Sequence, residues 1–150
     1  MTIWQFQHTL SKRLLQWSGA SAALGLAMSL LGRFWRGVGS QFLGWAAVNA
    51  AIAVGGSFVA EQRRVREADS ALPKGMMREA NKLQRLLRVN AALDIVYMLG
   101  GLWMLGRNRQ KPWLRGVGLG IILQGLFLFV FDVIHARQVP TWPWSGSDPS

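Results

Sequence analysis

Four stretches of this chain are long, apolar and almost free of charge, and they limit what it can fold into. Leu14 to Gly32 and Gly37 to Ala60 carry no charge at all; Val89 to Gly106 carries only Asp94, and Gly116 to Ile134 only Asp132. About 20 helical residues, at roughly 1.5 Å each, cross a hydrocarbon core about 30 Å thick. The pattern therefore predicts an all-α, integral membrane four-helix bundle with spans at about 14–32, 37–60, 89–106 and 116–135, forming one domain over residues 1–150. Residues 61–88 form a cytoplasmic helical connection, broken at DSALPKG (69–75), where Pro73 and Gly75 punctuate helices, and 140–150 form a flexible polar tail.

The charges lie where the spans end. The net charge is +10, yet the 17 Lys and Arg residues follow no single helix face, so nucleic acid is not the partner expected. Loops retained in the cytoplasm are enriched in Lys and Arg. Lys12, Arg13, Arg137 and the eight basic residues between spans two and three give 11 on one side, against six on the other at 33, 36, 107, 109, 111 and 115. Both termini are expected inside, with the first span kept as a signal anchor because no small-residue cleavage motif follows it. Trp17, Trp35, Trp103, Trp113, Trp142 and Trp144 fall near span ends, where aromatic residues anchor at the interface.

The chain resembles itself. FWRGVGSQFLGW (34–45) matches PWLRGVGLGIILQ (112–124), and KRLLQ (12–16) matches QRLLR (84–88) in the same order. The reading is two copies of a two-helix hairpin, related by a two-fold along the membrane normal. On this alignment Ser18 matches Asn90, and the small stripe Ser18, Ala22, Gly25, Ser29, Gly32 of span one leaves room for span three's polar side chains.

That polar stripe is Asn90, Asp94, Tyr97 and Gly101, spaced for one helix face. Span four continues with Gly116, Gly120, Gln124, Leu128, Asp132 and His135. Asp94 lies six residues past Arg88 and Asp132 five before Arg137, so antiparallel packing brings both carboxylates to a similar depth. Asn90, Asp94, Tyr97, Gln124, Asp132 and His135 are the candidate ligand- or proton-binding residues. Ionisable groups inside a membrane are costly and point to function. Several readings stay open: two carboxylates sharing a proton or binding a cation, a divalent metal held with His135, or structural pairing with Arg85, Arg88 or Arg137. Asn49 and Gln124, near mid-membrane, suit interhelical hydrogen bonds.

Other chemistry is excluded by residue type. No cysteine means no disulfide, thiol nucleophile or thiolate metal site. Only His8 and His135 occur, so one chain offers no bis-histidine haem site in its core. No phosphate loop, nucleophile elbow or zinc-protease motif is present. No cofactor, dedicated metal site or enzymatic activity is expected.

NAALDIVYMLGG followed by RGVGLGIILQGLFLFVFDVIHA resembles a group of bacterial four-span membrane proteins with no assigned activity. The shared features are Asn90, Leu93-Asp94, Tyr97 and Gly100, then Arg115-Gly116, Gly118, Gln124-Gly125, Phe131-Asp132 and His135. The likeness covers spans three and four well and the first hairpin loosely, and it implies a multi-pass plasma-membrane protein. The function expected is non-enzymatic: a small accessory or scaffold subunit, or a lipid- or small-ligand-binding module. The alternative is a small oligomeric transporter using Asp94 and Asp132 as proton or cation sites. The lipid bilayer is the expected partner, with a homodimer or a larger membrane complex as the protein context.

Overall fold

The computed structural model describes residues 2–67 and 73–140, all but a few of them in four helices. These are α1 (Ile3–Ser29), α2 (Arg33–Glu67), α3 (Pro73–Arg107) and α4 (Pro112–Gln138). Thr2 caps α1 by a reciprocal pair: its hydroxyl accepts from the Gln5 amide at 3.3 Å, and the Gln5 side chain accepts from the Thr2 amide at 3.0 Å. Pro112 opens α4 at a position whose N–H would have no helical partner. The tail from 141 and the centre of the expected break, 68–72, lie outside the described residues, as do Trp142 and Trp144.

Three helical stretches are long and apolar enough to cross a membrane: Arg33–Val65, Gly75–Arg107 and Pro112–Gln138. The stretch expected as the first span is shorter as a helix than as a sequence. Lys12 and Arg13 sit mid-α1, and the helix ends at Ser29, so its uncharged part is 14–29. That is about 24 Å at 1.5 Å per residue, short of a core about 30 Å thick. α2 and α3, at 35 residues each, run about 52 Å and so extend well past the core. Their extensions meet at one end, where Glu79 of α3 accepts from Arg63 of α2 and from Lys82, both at 2.8 Å. Burial pushes the Glu79 carboxyl up, but the Lys82 hydrogen bond and the charges of Arg63 and Lys82 outweigh it and hold it below the usual carboxylate range.

Packing joins α1 to α2, α3 to α4, and α2 to α4, while α1 and α3 barely meet. Each close pair crosses at glycines. A Cβ on Gly25 would lie 2.9 Å from the Gly39 carbonyl oxygen and one on Gly39 2.6 Å from that of Gly25; Gly101 and Gly118 stand in the same relation at 2.7 Å each way. At the α2–α4 crossing the contact is reciprocal residue for residue. Gly37 packs on the Trp113 oxygen and Val117 nitrogen, and Gly116 on the Phe34 oxygen and Val38 nitrogen. Small residues are what allow membrane helices this proximity.

These contacts correct the alignment of the two hairpins. The α2–α4 crossing relates residues 79 apart (37 to 116), and the flanking crossings relate Gly25 to Gly101, 76 apart. KRLLQ and QRLLR are 72 apart, so Ser18 stands level with Asp94, one helical turn beyond Asn90. The small stripe of α1 also faces elsewhere than expected: Gly25 packs on Gly39 and Leu43 of α2. Trp17 is no interfacial anchor, because its indole stacks on Phe127 at 3.6 Å and donates inward to Gln124. Trp35, Trp103 and Trp113 do lie exposed.

Candidate functional site

The buried stripe of α3 runs Leu87, Ala91, Asp94 and Gly101, with Met98 half-buried along it, rotated from the one expected by periodicity. Asp94 is therefore central, at 5% exposure, whereas Asn90 is half-buried at its edge. Tyr97 turns out of the cluster: it is 49% exposed, with its ring edge-on to Trp45 at 5.4 Å. In α4 the expected stripe holds throughout, since Gly116, Gly120, Gln124, Leu128, Asp132 and His135 are all buried.

Asp94 and Asp132 are both buried where α3 and α4 pack, at 5% and 7% exposure. Gly125 leaves the room for this approach, since a Cβ there would meet Met98 Cγ at 2.9 Å and the Asp94 backbone oxygen at 3.4 Å. Among the described residues, neither carboxylate has a cationic partner. The ion pairs among the described residues are Arg63–Glu79, Lys82–Glu79 and Arg64–Glu61. Arg85, Arg88 and Arg137 are exposed. Asp94 Oδ2 is buried with no hydrogen-bond partner among the described residues, and so is Asn49 Nδ2. A buried polar atom without a partner is rare and calls for an explanation.

His135 does not join the carboxylates. Its ring lies 4.1 Å from that of Phe131 and 6.3 Å from that of Phe6. Arg13 donates to Nε2 at 3.1 Å, so Nε2 accepts and Nδ1–H donates to the Phe131 carbonyl at 2.6 Å. No group of three His, Cys, Asp or Glu side chains among the described residues is placed to hold a metal. Gln124, fully buried, accepts from Trp17 Nε1 and donates to Ser21 Oγ, each at 3.3 Å, tying α4 to α1 as its mid-membrane position suggested. On the other diagonal, Tyr97 and Trp45 occupy the positions corresponding to Ser21 and Gln124.

The same correspondence brings out Asn49. Leu14, Ala53 and Leu128 pack together as one apolar cluster. Adding 76 to α1 positions and 79 to α2 positions turns Leu14 into Asn90 and Ala53 into Asp132, while Leu128 in α4 answers to Asn49 in α2. One half of the bundle is thus dry where the other presents Asn49, Asn90 and Asp132. The sequence signal for Asn49 was an amide near the middle of an uncharged span that also holds Gln41; its correspondence with Leu128 needed the crossing geometry.

The fold and its seam define an all-helical bundle, three of whose helices are apolar enough to cross a membrane, with two buried carboxylates inside that form no ion pair among the described residues. The chain belongs to a family of unknown function (DUF6992), whose model matches residues 13–133 and so takes in the first hairpin as well as the second. No curated protein and no solved structure matches it.

Proposed function

We propose that this is a four-span protein of a bacterial plasma membrane, both termini cytoplasmic, whose interior takes up a proton or a small cation at Asp94 and Asp132. The observation that carries the reading is two buried carboxylates that form no ion pair among the described residues. Two such charges repel and are poorly solvated, so a shared proton or a bound cation relieves both costs. Asn49, buried in α2 with an amide that has no partner among the described residues, and Asn90, one turn before Asp94 in α3, are the neutral polar groups that accompany the reading. Membrane placement of α1 is supported by its outward side chains, with Leu15, Leu24 and Leu26 at 48%, 44% and 61% exposure. The reciprocal α2–α4 contact supports a duplicated hairpin. The function is binding, on its own or as the ion step of an oligomeric transporter; four helices enclose too little room for a path of their own.

Infrared difference spectroscopy of the purified protein tests this. A carboxyl band that responds to pH or to added cation, and vanishes in Asp94→Asn and Asp132→Asn, is the result expected. Stability provides an independent check. Removing one member of a buried ion pair costs about 3–5 kcal/mol, whereas an unpaired carboxylate has nothing to lose. Both Asn variants should fold at least as stably as the parent, gaining up to about 3 kcal/mol from the charge no longer buried. A silent infrared spectrum, or loss of folded protein in both variants, sinks the proposal.

A further inference from the structure

Each hairpin carries a groove on its outer surface, and the two grooves correspond. The α3–α4 groove, about 360 Å³, is floored by Ala92, Ile95, Phe129 and Val133, with Arg88 and Arg137 lining it too. The α1–α2 groove, about 600 Å³, includes Lys12, Leu15, Val54, Ser57 and Phe58. These are the positions that correspond to Arg88, Ala91, Val133, Ala136 and Arg137 of the second hairpin, by the 76- and 79-residue relations fixed at the glycine crossings. One architectural feature therefore occurs twice with different chemistry at its end. The first groove has Lys12 and an apolar Phe58; the second has a guanidinium on each wall.

Arg88 precedes the apolar run of α3 and Arg137 follows that of α4, so antiparallel packing puts both at the same end, where the apolar surface stops. Both are exposed, and neither forms an ion pair among the described residues. A strip of apolar wall ending in two unpaired guanidiniums matches a molecule with a hydrocarbon chain and an anionic head. Guanidinium binds phosphate oxygens with paired donors, and basic pockets between membrane helices on the cytoplasmic side suit anionic lipid headgroups. We infer that the α3–α4 groove is a binding site for one anionic phospholipid, its acyl chain against Ala92, Ile95, Phe129 and Val133 and its phosphate between Arg88 and Arg137. The site rests on the membrane placement of α3 and α4 and does not involve the carboxylate seam.

The test is native mass spectrometry of the full chain in detergent, titrated with phosphatidylglycerol and, separately, phosphatidylcholine of the same acyl composition. The parent should retain phosphatidylglycerol in preference. Each basic residue near a membrane surface contributes about fivefold to anionic lipid binding, so Arg88→Gln with Arg137→Gln should weaken phosphatidylglycerol about 25-fold and leave phosphatidylcholine unchanged. Ala92→Trp, an outward position that fills the groove, should reduce both lipids. Arg109→Gln with Arg115→Gln removes the same charge at the opposite end and should change neither. Absence of a headgroup preference, an equal loss in the Arg109/Arg115 pair, or full binding in Ala92→Trp would each overturn the site. Carbonate extraction of the same variants from membranes reports insertion separately, so a failure of membrane placement is told apart from a failure of the lipid site.

Discussion

Gly118→Ala is the substitution whose cost the structure specifies best. A Cβ there would sit 2.7 Å from the Gly101 carbonyl oxygen and 2.9 Å from the Leu105 nitrogen. Both are backbone atoms, so no rotamer change relieves the contact. Ordinary contact begins at 3.4 Å, and α3 and α4 would have to part by about 0.7 Å at the crossing. A gap of 0.5–1 Å forfeits roughly a quarter to a half of the dispersion energy of the atoms affected, and overpacking typically costs about 1–3 kcal/mol. Alanine returns about 1 kcal/mol through its better helix propensity. The net loss should be up to about 2 kcal/mol, and about 1–3 kcal/mol relative to an alanine that meets nothing. Gly116→Ala meets the Phe34 carbonyl far more closely and should lose more, while Gly19→Ala has nothing within 4 Å and should be neutral or slightly stabilising. Gly101→Ala strains the same crossing, so the Gly101/Gly118 double variant should lose less than the sum of its parts. Equilibrium unfolding in mixed micelles with increasing dodecyl sulfate ranks the series. Gly118→Ala as stable as Gly19→Ala would refute close glycine packing as what holds the hairpin together.

The Ser21–Gln124 bond should show a coupling energy of about 0.6 kcal/mol in a double-mutant cycle of Ser21→Ala with Gln124→Leu, measured by the same unfolding; strict additivity would argue against the bond. Glu79 has its pKa lowered by Lys82 and Arg63, so its stabilisation is fully present above the ordinary glutamate value of about 4.3 and is lost as pH falls through the lower folded value. Thermal stability of the parent should drop more steeply than that of Glu79→Gln on acidification from about pH 5, and parallel curves would contradict the ion pairs.

Much of this fold can be read directly from the chain. The uncharged runs locate α2 and α4, and the absence of Gly or Pro between Met76 and Arg88 agrees with a continuous α3. What eludes sequence is azimuth and register. A 4-3-4 spacing selects a face only to within one residue, which is why Asp94 lies in the buried stripe while Tyr97, three positions on, meets Trp45 at the surface. Trp17 has the composition of an anchor and the orientation of a core residue, a choice made by Gln124 across the bundle. The hairpin alignment slipped by a turn because KRLLQ and QRLLR agree in residue type, whereas the helices are positioned by Gly25 and Gly101, whose spacing no local match reveals. The burial of two carboxylates in α3 and α4 was legible; that Arg88 and Arg137, near them in sequence, lie exposed and form no ion pair among the described residues was not.

The reciprocal α2–α4 crossing has a consequence for how such a bundle can be loaded. Two identical hairpins meeting across that axis would be obliged to present every side chain twice, and four acids would face one another in the interior. With both hairpins on one polypeptide, Ala53 can answer Asp132 and Ser18 can answer Asp94. The two hairpins meet by matching contacts while their contents differ: the first buries Ser18 and Ala53, and the second buries Asp94 and Asp132. On the proposed reading, an ion taken up by this protein meets a single address in a frame that geometrically offers two.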